Sequence, residues 1–573
     1  MTGTTNGIGT CRPHLVAGTL ALVIAAASAA PALAQGTETG VNAGSLQRQI
    51  NVLERSTPLR RRDAGTVILP GVSVDAIAEV AEDPNAPTLY LSQWQFRGNR
   101  LFGTEQLRAV LAGETGRELG FAQIDRAARL IEAWYAQNGY VARVTIPPQE
   151  VVGGSVLLEV QEARYAGVAF EGDPPRRVRP EIIERIFNGN VAPGAPLRPE
   201  ALDRPLLIAN GLYGVSLSGA LAPGGNPGET VLLLNGVDER PYALEVSLDN
   251  FGARSVGELR GSLQAALYSP LRRGDLLLAR LTTTEGSPDG EIRYSLPVGL
   301  RGARVWADLG YMHYDVTSSD LKALDPTGRS FTRSAGVTFP LLLSRQREVN
   351  LTLSHGRDDL RNEVRGETVS DYHITRSTIG LNGRWEDRFL GGGVTRFALA
   401  YSTGSAEGED AGAHFDEDFD IWRLNLDRKQ YVTDKVTLMA NLSAQKGPRG
   451  LDSAEEFFLG GPNGVRAYPI GEGDGPTGAT LQLQMAWQVA PNWTVAGFYD
   501  HGWIADRTVP GEPGNYQLKG VGAVVSWAHP SGWAAEFTLA HRLGDNPNEI
   551  DGGKDQDGSD RDLRAWFELR KTF

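Results

Sequence analysis

The chain has 573 residues, a formal net charge of −13 and 41% hydrophobic residues. Charged residues are spread along the chain without a basic stripe, which argues against a nucleic-acid-binding protein. The one long apolar run lies near the N-terminus, and this excludes a bundle of transmembrane helices.

Residues 1–34 are predicted to be a secretory signal peptide. An apolar run from Leu15 to Ala27 is followed by a small-residue cleavage pattern, Ala-Leu-Ala, at 32–34. A membrane anchor is the alternative, but the run is short and is followed by small residues and a proline. Cys11, the only cysteine, would be removed with this segment, so we expect neither a disulfide nor a cysteine metal ligand in the exported chain.

Residues 35–87 are predicted to contain a helix and a linker. Leu46, Ile50 and Leu53 recur at helical spacing, which indicates a short amphipathic helix. From Ser56 to Pro87 the chain is rich in charged residues and prolines, which indicates an extended linker.

Residues 88–163 and 164–240 are predicted to be two α+β modules with the same order of elements. Each has a strand, two helices and two further strands, an order written β-α-α-β-β. A single mixed α+β domain is the alternative. In the first module, a helix from Phe121 to Asn138 carries one apolar face, and Gly139 follows as its C-terminal stop. That face consists of Ile124, Ala127, Ala128, Ile131 and Tyr135.

Residues 241–573 are predicted to form an antiparallel membrane β-barrel. Helical periodicity disappears, and strand-like segments alternate with turn-rich stretches to the end of the chain. Membrane strands alternate apolar and polar residues, so they need no long apolar run. We count sixteen strands, an even number that returns the last strand to the side where the first began. They begin near Tyr242, Val256, Gly274, Gly290, Ala303, Gly328, Arg347, Asp371, Gly393, Glu417, Asp434, Ala479, Trp493, Tyr516, Trp533 and Asp562.

The connections between these strands are predicted to alternate between tight turns and longer loops, the asymmetry of outer-membrane barrels. The predicted long loops include 316–327, 358–370, 405–416, 447–478 and 545–561. The last of these is rich in aspartate and invites a calcium assignment. However, the twelfth position from Asp555 is Trp566 and not the glutamate that closes an EF-hand loop. We therefore expect a solvated extracellular loop and no metal site.

The strand from Trp493 to Ile504 indicates which residues face the membrane. Trp493 and Trp503 lie on one face ten residues apart, about 25 Å along the membrane normal for a tilted strand. That spacing fits two aromatic girdles around an apolar band. Asp500 and Gly502 lie on the opposite face and are predicted to point into the lumen.

Three motifs make the chain resemble a known family. The sequence LGGPNGVRAYP (459–469) lies in the longest loop, FYDHG (498–502) lies on the strand from Trp493, and SLDNFG (247–252) lies on the first barrel strand. Over nearly the whole exported chain, it resembles the two-partner-secretion transporters (TpsB type), the haemolysin secretion/activation proteins. The resemblance implies a plug helix, a linker, two POTRA modules of the α+β class and an all-β, sixteen-stranded antiparallel transmembrane barrel.

The resemblance also implies a site in the lumen. The family motif V-R-G-Y corresponds to Val465, Arg466, Ala467 and Tyr468, and the motif on the strand corresponds to Phe498, Asp500 and Gly502. The long loop would fold back so that Arg466 pairs with Asp500. A solvated loop position for Arg466 is the alternative. Alanine at 467 replaces the family's glycine and would be strained if that position requires a positive φ.

The implied function is an outer-membrane pore that exports a large secreted exoprotein of the adhesin or haemolysin type. The POTRA modules would capture the partner at a sheet edge, with Val156–Gln161 and Thr230–Gly236 as candidate strands. The C-terminal Phe573 resembles the signal that outer-membrane assembly machinery recognises, and the outer face would contact membrane lipids.

Other functions receive less support from the sequence. An assembly insertase of the same superfamily would usually carry more POTRA modules, and a passive porin or receptor would have no use for these two. A surface enzyme is the remotest alternative, because we find no catalytic, nucleotide-binding or cofactor-binding motif.

Overall fold

In a computed structural model, the structure describes residues 42–53, 67–68, 87–318, 322–507, 513–550 and 552–573. The predicted signal peptide and nearly all of the predicted linker lie outside these residues. The described part begins with helix α1 (Ala43–Leu53) and a two-residue strand, β1 (Val67–Ile68). None of the helices in this part is long and apolar enough to cross a membrane.

The first module packs its helices against a three-stranded sheet. Its elements are β2 (Thr88–Leu91), β3 (Gln93–Arg97), α2 (Thr104–Val110), β4 (Arg117–Gly120), α3 (Phe121–Gln137), β5 (Ala142–Thr145) and β6 (Ser155–Glu162). The five predicted face residues of α3 are all buried, and Gly139 follows the helix with a φ of 79°, so the prediction of this helix is confirmed. Strands β2 and β4 pair with each other and were not predicted, because four residues are too few to show alternation.

The second module repeats the β-α-α-β-β order without a counterpart of the β2–β4 pair. Its elements are β7 (Arg164–Phe170), α4 (Pro180–Asn190), α5 (Asp203–Asn210), β8 (Val215–Pro223) and β9 (Glu229–Asp238). The linker strand β1 joins its sheet, which runs in the order β1-β8-β9-β7. Buried side chains from both helices and from strands β7 to β9 form its core.

The two strands predicted as capture edges are interior strands, so that prediction was wrong. Val156–Gln161 lies in β6, which is flanked by β3 and β5, and Thr230–Gly236 lies in β9, which is flanked by β8 and β7. In the first module β3 pairs in parallel with the last strand, β6, and in the second module β7 pairs in parallel with the last strand, β9. The last strand is therefore covered on both sides.

Sixteen antiparallel strands form a closed barrel, as predicted. They are β10 (Tyr242–Asp249), β11 (Arg260–Tyr268), β12 (Leu276–Thr283), β13 (Pro288–Val298), β14 (Ala303–Asp315), β15 (Pro326–Leu343), β16 (Arg347–Val364), β17 (Glu367–Asp387), β18 (Gly393–Asp410), β19 (Ala413–Tyr431), β20 (Val436–Lys446), β23 (Thr477–Ala490), β24 (Trp493–Ala505), β25 (Tyr516–Ala528), β26 (Trp533–Arg542) and β27 (Leu563–Thr572). The two-residue strands β21 (Phe457–Phe458) and β22 (Asp474–Gly475) belong to a loop. No predicted strand start is more than four residues from the observed one.

Two of the predicted long loops are instead extended hairpins. Strands β16 and β17 are joined by Arg365 and Gly366 alone, and β18 and β19 by Ala411 and Gly412. All four turn residues have positive φ, as a type I′ turn requires. The prediction failed because apolar alternation stops where the strands leave the membrane, whereas their hydrogen-bonded ladder continues into water.

The second module packs against the turns at one end of the barrel, which we call the module side. Tyr213 stacks on Tyr268 at the end of β11, with ring centroids 5.7 Å apart. Arg345, in the turn after β15, lies 2.7 Å from the Asp203 carboxylate. These contacts show which end of the barrel faces the modules. The longest loops lie at the opposite end, which we call the far side.

The two faces of the barrel wall follow the predicted alternation. On β24, Trp493 and Trp503 are exposed on the outer face, whereas Asp500 and Gly502 are buried on the inner face. The last residue, Phe573, donates its backbone N–H to the Leu244 carbonyl over 2.9 Å and so contributes to barrel closure.

Candidate functional site

The inner loop, residues 447–476, connects β20 to β23 and folds back into the lumen. Strands β21 and β22 pair at its neck. At its tip, the side chains of Val465 and Tyr468 are fully buried and pack with inward-facing side chains of β23 to β26. The structure thus places the long loop inside the barrel.

Arg466 and Asp500 form a buried ion pair at the tip of the inner loop. Arg466 Nη2 lies 2.7 Å from Asp500 Oδ1, and Arg466 Nε donates to Oδ2 over 2.8 Å. The backbone N–H of Arg466 also donates to Oδ2, over 3.1 Å. Because Asp500 is 0% exposed and accepts from both side chain and main chain, it fixes where Arg466 stands as well as balancing its charge.

Three further side chains position Arg466. Its Nη1 donates to Gln484 Oε1 over 2.9 Å, and its guanidinium carbon lies 3.4 Å from the ring centroid of Phe498. The indole N–H of Trp566 donates to the Arg466 carbonyl over 2.8 Å. Gln484 and Trp566 were missed in the sequence, although both occupy inward positions that strand alternation could have revealed.

Glycines allow the loop tip to approach the barrel wall closely. A Cβ atom on Gly502 would lie 2.9 Å from Val465 Cγ2, and one on Gly464 would lie 1.9 Å from the Leu459 carbonyl oxygen. A larger residue at position 502 would push the loop away from β24, and one at position 464 would distort the fold of the loop itself. In the strand motif, Gly502 therefore leaves room for the loop tip, whereas Phe498 and Asp500 contact Arg466.

Alanine at 467 is accommodated without backbone strain. Ala467 is not among the described non-glycine residues with positive φ. Its side chain is buried against Gly520, where an added Cβ would meet the Ala467 Cβ at 2.8 Å. The departure from the family's glycine is thus matched by a glycine on the facing strand.

The third motif, SLDNFG, lies at the seam between the first and last barrel strands. The side chain of Asn250 accepts from the Phe567 N–H over 2.8 Å and donates to the Ala565 carbonyl over 3.0 Å. Its amide thereby extends the ladder between β10 and β27. The Phe251 ring lies 6.0 Å from the ring of Trp566, so the motif also contacts the residue that holds the Arg466 carbonyl.

Helix α1 lies in the lumen between the barrel wall and the inner loop. The backbone N–H of Ala43 donates to Asn362 Oδ1 on β16 over 2.8 Å. Arg48 Nε donates to the Glu456 carbonyl of the inner loop over 3.2 Å. A cavity of about 650 Å³ remains beside the helix, lined mainly by charged and polar side chains of the wall.

The loop after β26, predicted to be solvated, is buried over part of its length. We call the described residues of this loop, 543–550 and 552–562, the cover loop. Asn546 and Asp555 are at most 3% exposed, and Asp555 pairs with Arg542 and Arg564 on the flanking strands. The prediction of a solvated loop was wrong for these residues, because the two arginines at inward positions of the wall pair with Asp555 and hold that part of the loop in the lumen. Among the described residues, no cluster of three or more His, Cys, Asp or Glu could hold a metal ion.

Comparison with known proteins decides the family. A family model described as haemolysin secretion/activation protein ShlB/FhaC/HecB matches residues 228–527, more than half of the chain. The chain belongs to this family. A second model, described as POTRA domain, ShlB-type, matches residues 89–163. This ShlB/FhaC/HecB-family protein is a two-partner-secretion transporter of the outer membrane, and its N-terminal modules lie in the periplasm.

The relatives of this family member are transporters and not enzymes. The heme/hemopexin transporter protein HuxB of Haemophilus influenzae (strain 86-028NP) is 22% identical, covering 92% of this chain and 94% of that protein. The outer membrane transporter CdiB of Dickeya dadantii (strain 3937) is 24% identical, covering 77% and 79%. The structure of CdiB from Escherichia coli matches with a TM-score of 0.63 and 20% identity, covering 92% of this chain and 96% of that one. That likeness supports the fold alone.

Proposed function

We propose that this chain captures one large exoprotein, of the adhesin or haemolysin type, in the periplasm and exports it through its barrel. The observation that carries the proposal is the inner loop, which the buried Arg466–Asp500 pair holds inside the lumen. A loop fixed by a specific side-chain pair can be released and restored, as a gate requires. A passive pore would have no use for the two periplasmic modules.

The inner loop and helix α1 would both move during export. Both lie in the lumen and are held by side-chain contacts, such as Arg466–Asp500 and Ala43–Asn362. Neither belongs to the continuous ladder of the barrel wall. They can therefore shift while the wall remains closed to lipid.

The exoprotein is proposed to bind at β8 of the second module, on the side where β8 pairs with the two-residue linker strand β1. There the linker strand β1 already pairs in parallel through Val67 and Ile68, which supports β8 as an edge that accepts an added strand. In the first module, by contrast, the N–H of Val144 on the edge strand β5 donates to the Glu132 carboxylate over 2.7 Å. An extended exoprotein segment on β8 would gain main-chain hydrogen bonds in place of the linker.

Export is proposed to need no nucleotide. The sequence contains no G-x-x-x-x-G-K-[ST] motif, and the periplasm holds no ATP. Folding of the exoprotein outside the cell would then make transport one-way.

Two further partners are proposed. Outer-membrane lipids would contact the outward apolar face, with Trp493 and Trp503 at its two borders. The barrel-assembly machinery would recognise the last strand, which ends at the exposed Phe573.

The proposed function is tested by deleting the chain from its host and measuring the exoprotein in the culture supernatant. We expect secretion to be lost and to return when the chain is supplied from a plasmid. A periplasmic enzyme assayed in the same supernatant controls for leakage. Undiminished secretion in the deletion strain would exclude the proposed function.

Capture at β8 predicts that the linker competes with the exoprotein. Replacing both linker residues with proline (Val67→Pro, Ile68→Pro) removes their backbone donors, so β1 can no longer pair with β8. The purified full-length chain should then bind the N-terminal segment of the exoprotein about tenfold more tightly, since the hydrogen bonds between β1 and β8 no longer oppose binding. The matched control, Val67→Ala with Ile68→Ala, keeps both donors and should bind like the wild type. Equal affinity of the proline and alanine variants would exclude β8 as the capture edge.

A further inference from the structure

The cover loop is hydrogen-bonded to the inner loop through a buried carboxylate. Glu472, near the end of the inner loop, is 0% exposed. Its Oε1 accepts from the Asn546 side chain over 2.9 Å, and its Oε2 accepts from the Gln556 N–H over 2.8 Å. Burial raises the pKa of Glu472 to about 7. A carboxyl so far from water depends on these two donors, which both belong to the cover loop.

A second buried carboxylate connects the cover loop to the tip of the inner loop. Asp555 lies 2.5 Å from Arg542 Nη2 and 3.2 Å from Arg564 Nη2. The guanidinium carbon of Arg542 in turn lies 4.8 Å from the ring centroid of Tyr468, in the buried tip. Asp555 therefore holds in place an arginine that packs on the tip.

A third contact joins both loops to the end of the barrel strand β24. Arg507 Nη1 donates to Asn548 Oδ1 in the cover loop over 2.9 Å, and its Nη2 donates to Asp474 Oδ1 in the inner loop over 2.8 Å. The cover loop is thus connected to three residues of the inner loop. It contacts Glu472 directly, and it reaches Asp474 through Arg507 and Tyr468 through Arg542.

We infer that the cover loop is a second lock on the inner loop, with Asn546 and Asp555 as the residues that position it. The inference rests on the proposed gating role of the inner loop. The second lock is a separate set of contacts, since it shares no ion pair with Arg466–Asp500. It lies on the far side of the barrel, where an exoprotein leaving the lumen would displace it.

The test measures channel opening of the purified full-length chain in planar lipid bilayers. Asp555→Asn keeps the size of the side chain but removes the charge that pairs with the two arginines. We expect it to raise the frequency of opening about tenfold, because charge-assisted hydrogen bonds of the closed state are lost. Asp545→Asn is the matched control, since Asp545 is exposed in the same loop, and it should open like the wild type.

Two further variants keep the result decisive. Asn546→Ala removes the side-chain N–H groups that donate to Glu472 and Asp555 but leaves the arginine pairs of Asp555, so it tests the lock even if Asp555→Asn does not fold. Asp500→Asn reports on the gate itself. If Asp500→Asn increases opening and neither cover-loop variant does, the second lock is overturned while the proposed gate stands. If none of the three changes opening, the gating role of the inner loop fails.

Discussion

Replacing Asp500 with arginine is expected to reduce export of the exoprotein to about one hundredth of the wild-type level, because it destroys a buried ion pair. Two guanidinium groups would then face each other in a site where Asp500 is now 0% exposed. The tip of the inner loop would leave the wall and could not be restored to its position after release, as the proposed gate requires. Arg466→Asp should have the same effect, since it places two carboxylates together.

The exchanged pair, Arg466→Asp with Asp500→Arg, should recover part of this loss. The ion pair returns, but the N–H of residue 466, which now donates to Asp500, would face an arginine and lose its acceptor. Gln484 would also lose the guanidinium that donates to it. Recovery is therefore expected to be partial.

Arg449→Asp is the matched control for the exchange. Arg449 lies in the same inner loop and pairs with Asp506, but its side chain is 73% exposed, and exposed pairs contribute at most about 1 kcal/mol. Export by this variant should remain close to that of the wild type. Export is measured as exoprotein in the supernatant, normalised to the amount of folded barrel in the membrane. Full export by either single variant of the buried pair would contradict a role for that pair.

The sequence was sufficient to predict which face of the barrel wall a side chain occupies, because that depends on strand alternation. Alternation along β24 correctly predicted Asp500 in the lumen and Trp503 on the membrane face, because successive side chains of a strand point to opposite faces. It could not supply the partner of Asp500, since Arg466 lies in a loop with no period. Only the resemblance of the loop motif to a family motif provided that pair.

Contacts between loops and the order of strands in a sheet could not be predicted from the sequence. The cover loop has the composition of a solvated loop, and its burial depends on Arg542 and Arg564, which flank it at inward positions of the wall. Similarly, the order of elements in each module does not reveal that β6 and β9 are interior. That arrangement follows from the connection through the helices, which returns the chain so that β6 lies parallel to β3 and β9 lies parallel to β7.

Replacing Glu162 with alanine is expected to destabilise the first module by about 3 kcal/mol, the cost of leaving a buried hydroxyl and two partly buried N–H groups without an acceptor. One oxygen of this carboxylate, Oε1, accepts from the N–H groups of Arg100 and Leu101, each over 2.7 Å, and from the Tyr135 hydroxyl over 2.9 Å. Burial, together with the hydrogen bond to Glu162, raises the pKa of Tyr135 above its usual range, so its hydroxyl remains a donor. Glu162 therefore joins β6, α3 and the turn after β3.

The same site distinguishes the loss of an acceptor from the loss of a charge. Glu162→Gln can keep an oxygen at the position of Oε1, so all three donors retain an acceptor and we expect a loss of about 1 kcal/mol from the weaker neutral bonds. Glu159→Ala, on the same strand, removes an exposed pair with Arg97 and should cost less than about 1 kcal/mol. Hydrogen exchange of the β6 amides in the purified full-length chain measures all three losses. If Glu162→Ala exchanged no faster than Glu159→Ala, the carboxylate would not hold the module together, and any export defect of that variant would need another cause.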